Sequence, residues 1–344
     1  METVITNDNI REFVESYINA KESLPEDLQN VYIGDWNVSA VTNMSKLFMD
    51  CEEFNEDINN WNVSHVINMS RMFCNCKRFN QPLNKWDVSN VKDMSLMFID
   101  CKRFNQPLNK WIVSNVENMD YMFGDCDDFN QSLNYDPLTN AWNMSKVTNT
   151  RFMFTNCKKF NGNISDWDMS SVINMNYMFS GCFAFNQDLS KWNVSNVTSM
   201  LRVFFNCKNF NKPLNYNPET NAWNVSKVTS MYGMFSGCVK FNQDISKWDV
   251  SNVTNMQYMF AHCYKFNKPL NYNPETNAWN VSKVTDMSWM FTNCKKFNQD
   301  INNWNLSNIE IMNDMFVGCV AFREIPIWFF DEKITNKLCV FEKI

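Results

Sequence analysis

The chain has 344 residues, 45% of them hydrophobic, so it can bury a sizeable core. Its net charge of −6 and pI near 5.1 exclude a general nucleic-acid binder. No apolar run of about 18 residues occurs, which excludes membrane insertion by a spanning helix.

The chain opens with METVITNDNIREF, which lacks the basic and apolar blocks of a signal peptide. A cytoplasmic location is therefore expected, with the virion or host-cell cytoplasm included if the source is viral. Ile10, Phe13, Val14, Tyr17 and Ile18 fall on one helical face, with Asn7 or Asp8 as the capping residue. Residues 1–30 are expected to form a helical N-terminal cap, and VYIGDW leads into the first repeat.

From there the text is periodic over residues 31–322. Trp36, Trp61, Trp86, Trp111, Trp142, Trp167, Trp192, Trp223, Trp248, Trp279 and Trp304 are spaced by 25 residues, or by 31 where six more are inserted. The unit reads W-[ND]-V-S-x-V-x-x-M-x-x-M-F-x-x-C-x-x-F-N-x-x-[LI]-x-x, and such a period signals a solenoid. In the unit from Trp86, Val91, Met94, Met97, Phe98 and Cys101 have the spacing of one helical face, with Ser89 or Asn90 as cap. Just before each Cys stands Asn, Asp, Gly or His, types that tolerate the left-handed conformation ending a helix. With seven glycines in the chain and about one residue in six Asn, Asn must fill such positions. The first part of each unit holds Pro82, Pro107, Pro213 and Pro269 and is expected to be extended, with a short strand between the Leu and the Val. The expected fold is α/β: a leucine-rich-repeat-like right-handed solenoid of about eleven strand-plus-short-helix coils, capped at both ends. Trp, Val, Met, Phe, Cys and Leu would form inward ladders. The Asn after Phe and the Ser after Val would bond backbone groups at the corners.

Three insertions, NYDPLTNA (134–141) and NYNPETNA (215–222 and 271–278), are near copies placed between the Leu and the Trp. They are either tolerated bulges or a set of binding loops offering Tyr135, Tyr216 and Tyr272. Beyond Phe322 the repeat decays, and residues 323–344 are expected to be a C-terminal cap in which Trp328, Phe329 and Phe330 cover the last coil.

The phrase WDVSNVTNMQYMFAHCYKFNK at 248–268, with its ten sister copies, resembles the BspA-like bacterial surface-protein repeat family, a branch of leucine-rich-repeat-like sequences. The resemblance covers about residues 36–322. It implies a repeat scaffold for adhesion or protein binding; similar proteins occur in protists and giant viruses.

Chemistry beyond the scaffold is sparse. Eleven of the thirteen cysteines recur at one repeat position, one per coil, which reads as a ladder of buried thiols rather than a metal cluster or disulfide set. His65 and His262 lack partners for acid–base work, and no phosphate-cradling Gly loop occurs. No catalytic, cofactor or metal site is expected, and the chain is not read as an enzyme. Variable positions are more informative. Two residues after the first Met lie Tyr121, Phe152, Tyr177, Tyr258 and Trp289, mixed with Lys46, Arg71 and Arg202. This stripe is either a partner surface or packing between neighbouring coils. The leading function is a non-enzymatic scaffold for protein–protein interaction. The alternatives are a structural or virion/fibre component self-assembling through the solenoid, and a carbohydrate or cell-surface adhesin touching glycans through the tyrosine loops and Trp289.

Overall fold

The computed structural model describes residues 3–323 and 326–331. The chain divides into two units, residues 1–167 and 168–344. Within each, successive 25-residue segments lie against one another as coils.

The helix expected in every coil is absent. Helices among the described residues are confined to the start, with α1 (Ile10–Asn19), α2 (Glu26–Gln29) and short 3-10 turns, and to a 3-10 turn at Ile327–Phe330. The segment from the second Val to the Cys is instead a chain of three-residue turns. In the first coil the N–H groups of Leu47, Met49 and Cys51 donate to the carbonyls three residues back, at 3.3, 3.2 and 3.1 Å. The alternate N–H groups reach the next coil: Met44 to Asn68 O, Lys46 to Ser70 O, Phe48 to Met72 O and Asp50 to Cys74 O, at 2.8–2.9 Å. Unit 2 repeats the scheme, with Met231, Gly233, Phe235 and Gly237 donating to Asn255, Gln257, Met259 and Ala261. A helix would spend every N–H on its own carbonyl four residues back. Here half of them go between coils, and the backbone bends twice through the left-handed region to allow it. One bend is the residue before Cys, such as Asp50 (φ 65°) or Asn75 (φ 61°), which the sequence marks. The other is two residues after the first Met, where Lys46, Arg71, Leu96, Tyr121 and Phe152 all have φ of 55–59°.

The expected strand is also displaced. Parallel pairing occurs as isolated bridges at the residue before the first Met: Asn43, Asn68, Asp93, Asn118 and Asn149 in unit 1, and Asn174, Ser199, Ser230, Asn255, Asp286 and Ile311 in unit 2. None lies between Leu and Val, and no extended strand forms among the described residues. The polar residue at the bridge has a local reason: its side-chain oxygen accepts the N–H two residues on, as in Ser70 N–H to Asn68 Oδ1 at 2.8 Å.

Inward ladders do form. Trp, Val, Met, Phe and Leu at the repeat positions are almost all under 5% exposed. After Trp36, whose buried Nε1 has no partner, the indole N–H groups donate to the carbonyl of the Leu or Ile one coil earlier, at 3.1 Å for Trp86 to Ile58 and 2.8 Å for Trp223 to Leu189. Trp328 follows the same rule by bonding Ile301 O at 3.0 Å, so it extends the ladder past the last full repeat. Each buried thiol does likewise, as in Cys101 to Phe73 O at 3.0 Å and Cys238 to Phe204 O at 2.9 Å. Corner roles differ from expectation. The Asn after Phe reaches the next coil instead of its own bend: Asn80 Oδ1 accepts Asn105 N–H and Asn105 Oδ1 accepts Asn130 N–H, both at 2.9 Å. At the other corner the residue after Trp supplies the side chain, as when Asp87 Oδ1 accepts Ser89 N–H at 3.0 Å. The Ser contributes its backbone N–H, and at Ser39 and Ser64 its hydroxyl also donates to that side-chain oxygen, at 2.7 Å.

At the start, Ile10, Val14 and Tyr17 of α1 are buried while Ile18 is exposed. Asn9, and neither Asn7 nor Asp8, precedes the helix. Asn7 is used on the first coil, where its Oδ1 accepts Thr42 N–H (2.9 Å) and Asn43 N–H (3.1 Å) and its Nδ2 donates to Thr42 Oγ1 (2.8 Å). Arg11 Nη2 donates to Ser45 O at 2.7 Å. These side chains replace the bonds an earlier coil would supply. Asn7→Ala is expected to lower stability by about 1–2 kcal/mol, because it strands two backbone donors; a urea titration would show an earlier midpoint at unchanged slope. At the other end, Trp328 is buried, whereas residues 332–344 of the expected cap lie outside the described residues.

Candidate functional site

The three insertions are small closed loops. Each is pinned by an antiparallel bridge, Asp136 with Ala141, Asn217 with Ala222 and Asn273 with Ala278, and by an Asp or Asn side chain that accepts the N–H two residues on. The Trp that follows each loop is flipped to positive φ (51° at Trp142, 49° at Trp223, 51° at Trp279). Its backbone N–H therefore bonds the carbonyl of the preceding Trp at 3.0 Å, where an uninterrupted coil makes a local turn. The loops thus stand on a modified but fully bonded coil.

Unit 2 carries two of them, at 215–222 and 271–278, separated by one plain coil at Trp248. They wall a groove of about 1060 Å³. Tyr216 and Pro218 stand on one side, Tyr272 and Pro274 on the other, and Ser246, Lys247 and Asp249 of the plain coil form the floor. Both tyrosines are half-buried. Tyr272 is fixed from the next coil, its N–H bonding Asn303 Oδ1 at 3.2 Å and its carbonyl accepting Asn303 Nδ2 at 3.0 Å. Tyr135, in the single loop of unit 1, is half-buried as well and has no second loop in its unit to face.

The aromatic stripe sits at the left-handed bend and is half-buried throughout. In unit 1, Tyr121 stacks on Phe152 with ring centroids 4.1 Å apart. In unit 2, Tyr258 stacks on Trp289 at 4.8 Å. The stripe therefore packs coil against coil while staying half-exposed. It and the tyrosine loops are separate features, and only Tyr216 and Tyr272 are brought together across one groove.

The remaining chemistry is structural. Burial pushes the ladder thiols far above the ordinary range, and Cys319, less enclosed, is pushed up to about 12. All twelve described cysteines are free thiols. Among the described residues no three His, Cys, Asp or Glu side chains are grouped as metal ligands, and no helix is long and apolar enough to cross a membrane. After the Cys, acids on one coil pair with bases on the next: Glu52 with Lys77 (2.6 Å), Glu53 with Arg78 (2.7 Å) and Asp128 with Lys159 (2.6 Å). These exposed rungs add little stability each.

Family comparison rests on the repeat text that builds these coils. The profile described as "Mycoplasma protein of unknown function, DUF285" matches residues 15–136, 133–220 and 215–328. The chain belongs to this family. A comparison with curated proteins finds no match. Among solved structures, similarity is found to a leucine-rich cell surface protein from Faecalibacterium prausnitzii A2-165, at 14% identity and a TM-score of 0.33, covering 77% of this chain and 70% of that one. A TLR13–ssRNA13 complex is similar at 11% identity and a TM-score of 0.19, covering 83% of this chain and 45% of that one. At these scores neither carries a structural argument, and the coil geometry stands on its own hydrogen bonds.

Proposed function

We propose that this DUF285-family chain is a non-enzymatic scaffold for protein–protein interaction, and that its partner lies in the groove between the two loops of unit 2. The observation that carries the reading is the pairing of Tyr216 and Tyr272 across a floor of Lys247 and Asp249. Tyrosine offers a large, stiff, amphipathic contact at low entropic cost, and Asn and Ser beside it supply adaptable hydrogen bonds. Its lining mixes polar and apolar side chains, which suits main-chain and side-chain contacts together. Everything beneath is held by repeated ladders, so the loops are presented on a rigid base. The BspA-like character of the repeat text supports the same reading.

Peptides selected from a display library on the full-length protein test it. Their binding is expected to weaken at least tenfold in Tyr216→Ala/Tyr272→Ala, a hot-spot-sized loss, and to stay unchanged in Tyr135→Ala. Failure to enrich any peptide, or equal affinity in the double variant, would count against the groove. A glycan array probed with the same variants separates the adhesin reading, which predicts sugar binding lost with the tyrosines.

A further inference from the structure

A second hollow in unit 2, of about 530 Å³, opens where the aromatic stripe is interrupted. The residue two after the first Met is Arg202 in one coil, Gly233 in the next and Tyr258 in the one after. Gly233 has φ +57° and no side chain, so its rung is empty and the side chain of Arg202 folds down over it. A Cβ at Gly233 would lie 3.1 Å from Arg202 Cγ.

The consequence for Arg202 is unusual. Its guanidinium lies 4.8 Å from the Phe205 ring and 5.1 Å from the Tyr232 ring, and Nη2 donates to Tyr232 Oη at 3.3 Å. Its Nε is buried and has no hydrogen-bond partner. An unmet charged donor costs free energy, and the fork formed by Nε and Nη2 suits a two-oxygen anion. Lys208 and His262 stand on the same hollow, and no carboxylate lines it. Four aromatic rings, of Phe205, Tyr232, Tyr258 and Tyr264, share the lining with the smaller Asn206, Ser236 and Val239, and Tyr232 and Tyr258 are set edge to face at 5.8 Å. The volume is in the range of roughly 300–1,000 Å³ that holds small molecules.

We infer that this hollow is a binding site for a small planar aromatic anion, a ring carrying a carboxylate or phosphate. The acid takes the fork of Arg202, which turns from Gly233 to meet it, with Lys208 at the rim. The ring lies against Tyr232 and Tyr258. The site is distinct from the tyrosine-loop groove and shares no lining residue with it.

The chain has two histidines, His65 and His262, and only His262 lines the hollow. Their ring C–H resonances can be separated with His65→Gln. Titration of the full-length protein with phenyl phosphate is expected to shift the His262 signal saturably, to leave His65 unmoved, and to give one-to-one binding by calorimetry. Benzoate should bind the same site. Inorganic phosphate, without a ring, and cyclohexanecarboxylate, without a planar one, should each bind at least tenfold more weakly. Arg202→Gln is expected to weaken phenyl phosphate at least tenfold, and Lys208→Gln, at an exposed rim position, about threefold. Should Arg202→Gln fail to fold, the His262 shift and the Lys208 variant decide. An unmoved His262 signal, equal affinity for phosphate and phenyl phosphate, or unchanged binding in Lys208→Gln and in a folded Arg202→Gln would overturn the proposal.

Discussion

Raising the pH above 9 should steeply destabilise this protein, unit 2 more than unit 1. The cause is the thiol ladder. Cys76, Cys101 and Cys126 in unit 1, and Cys207, Cys238, Cys263, Cys294 and Cys319 in unit 2, all have pKa values raised by burial above the ordinary 9. Each also donates its S–H to a carbonyl of the coil before, a bond the thiolate cannot make. The sign follows from linkage: the folded state holds its protons where the unfolded chain releases them. The stability contribution is therefore complete below pH 9 and is lost as pH rises towards the folded values. For the first pH unit above 9 the loss is roughly 1 kcal/mol per thiol. That amounts to about 3–4 kcal/mol in unit 1 and about 5–7 kcal/mol in unit 2, against a typical total of about 5–15 kcal/mol for a domain. Circular dichroism and thiolate absorbance near 240 nm, followed together, should change in one transition. Thiolate absorbance that rises while the dichroism stays native would refute the account.

Phe98→Ala should cost unit 1 about 3–5 kcal/mol, the range for emptying a buried aromatic site. Phe98 is fully buried and stacks on Phe104 at 4.2 Å, on Phe73 of the coil before at 5.5 Å and on Phe123 of the coil after at 5.6 Å. The cavity cannot collapse, because the coils on both sides are held by their own ladders. Lys110→Ala, at an exposed position, should stay within about 0.5 kcal/mol. Urea denaturation of the two variants beside the parent gives the difference. An equal midpoint for both would mean the ring stack contributes nothing.

Much of this core could be read from the chain alone, because a side chain that recurs every 25 residues must meet its own copy. Trp, Val, Met, Phe, Cys and Leu were legible as ladders for that reason. The path of the backbone was not. Val91, Met94, Met97, Phe98 and Cys101 fit a helical face, yet a run of three-residue turns places them on one side equally well. The deciding feature is the left-handed bend at Lys46 and its equivalents, and bulky residues there give no sign of it. The polar residue before the first Met marks the bridge, but it reads locally as an ordinary turn former. The Asn after Phe was the right residue with the wrong partner, since a bond to the next coil leaves the same trace as one to its own corner. In the candidate site, the alternation of spacings 31, 25 and 31 around Trp223, Trp248 and Trp279 is the trace of the groove in unit 2. Gly233 is the trace of the second hollow, as the one glycine at a position that carries a larger side chain in all the other coils.

Bonding between neighbouring coils has a direction. Between its first Met and its Cys each segment hands alternate amide hydrogens forward to the one that follows, receives indole and thiol hydrogens in return, and sends a few amide hydrogens back, as from Ile67 to Thr42 O and from Lys92 to Ile67 O. An excised or duplicated 25-residue segment leaves its two new neighbours with the donors and acceptors they already expect. A deletion of one residue, by contrast, shifts every downstream rung against its match. The architecture therefore tolerates change in whole-number steps, and in the loops that stand outside the count.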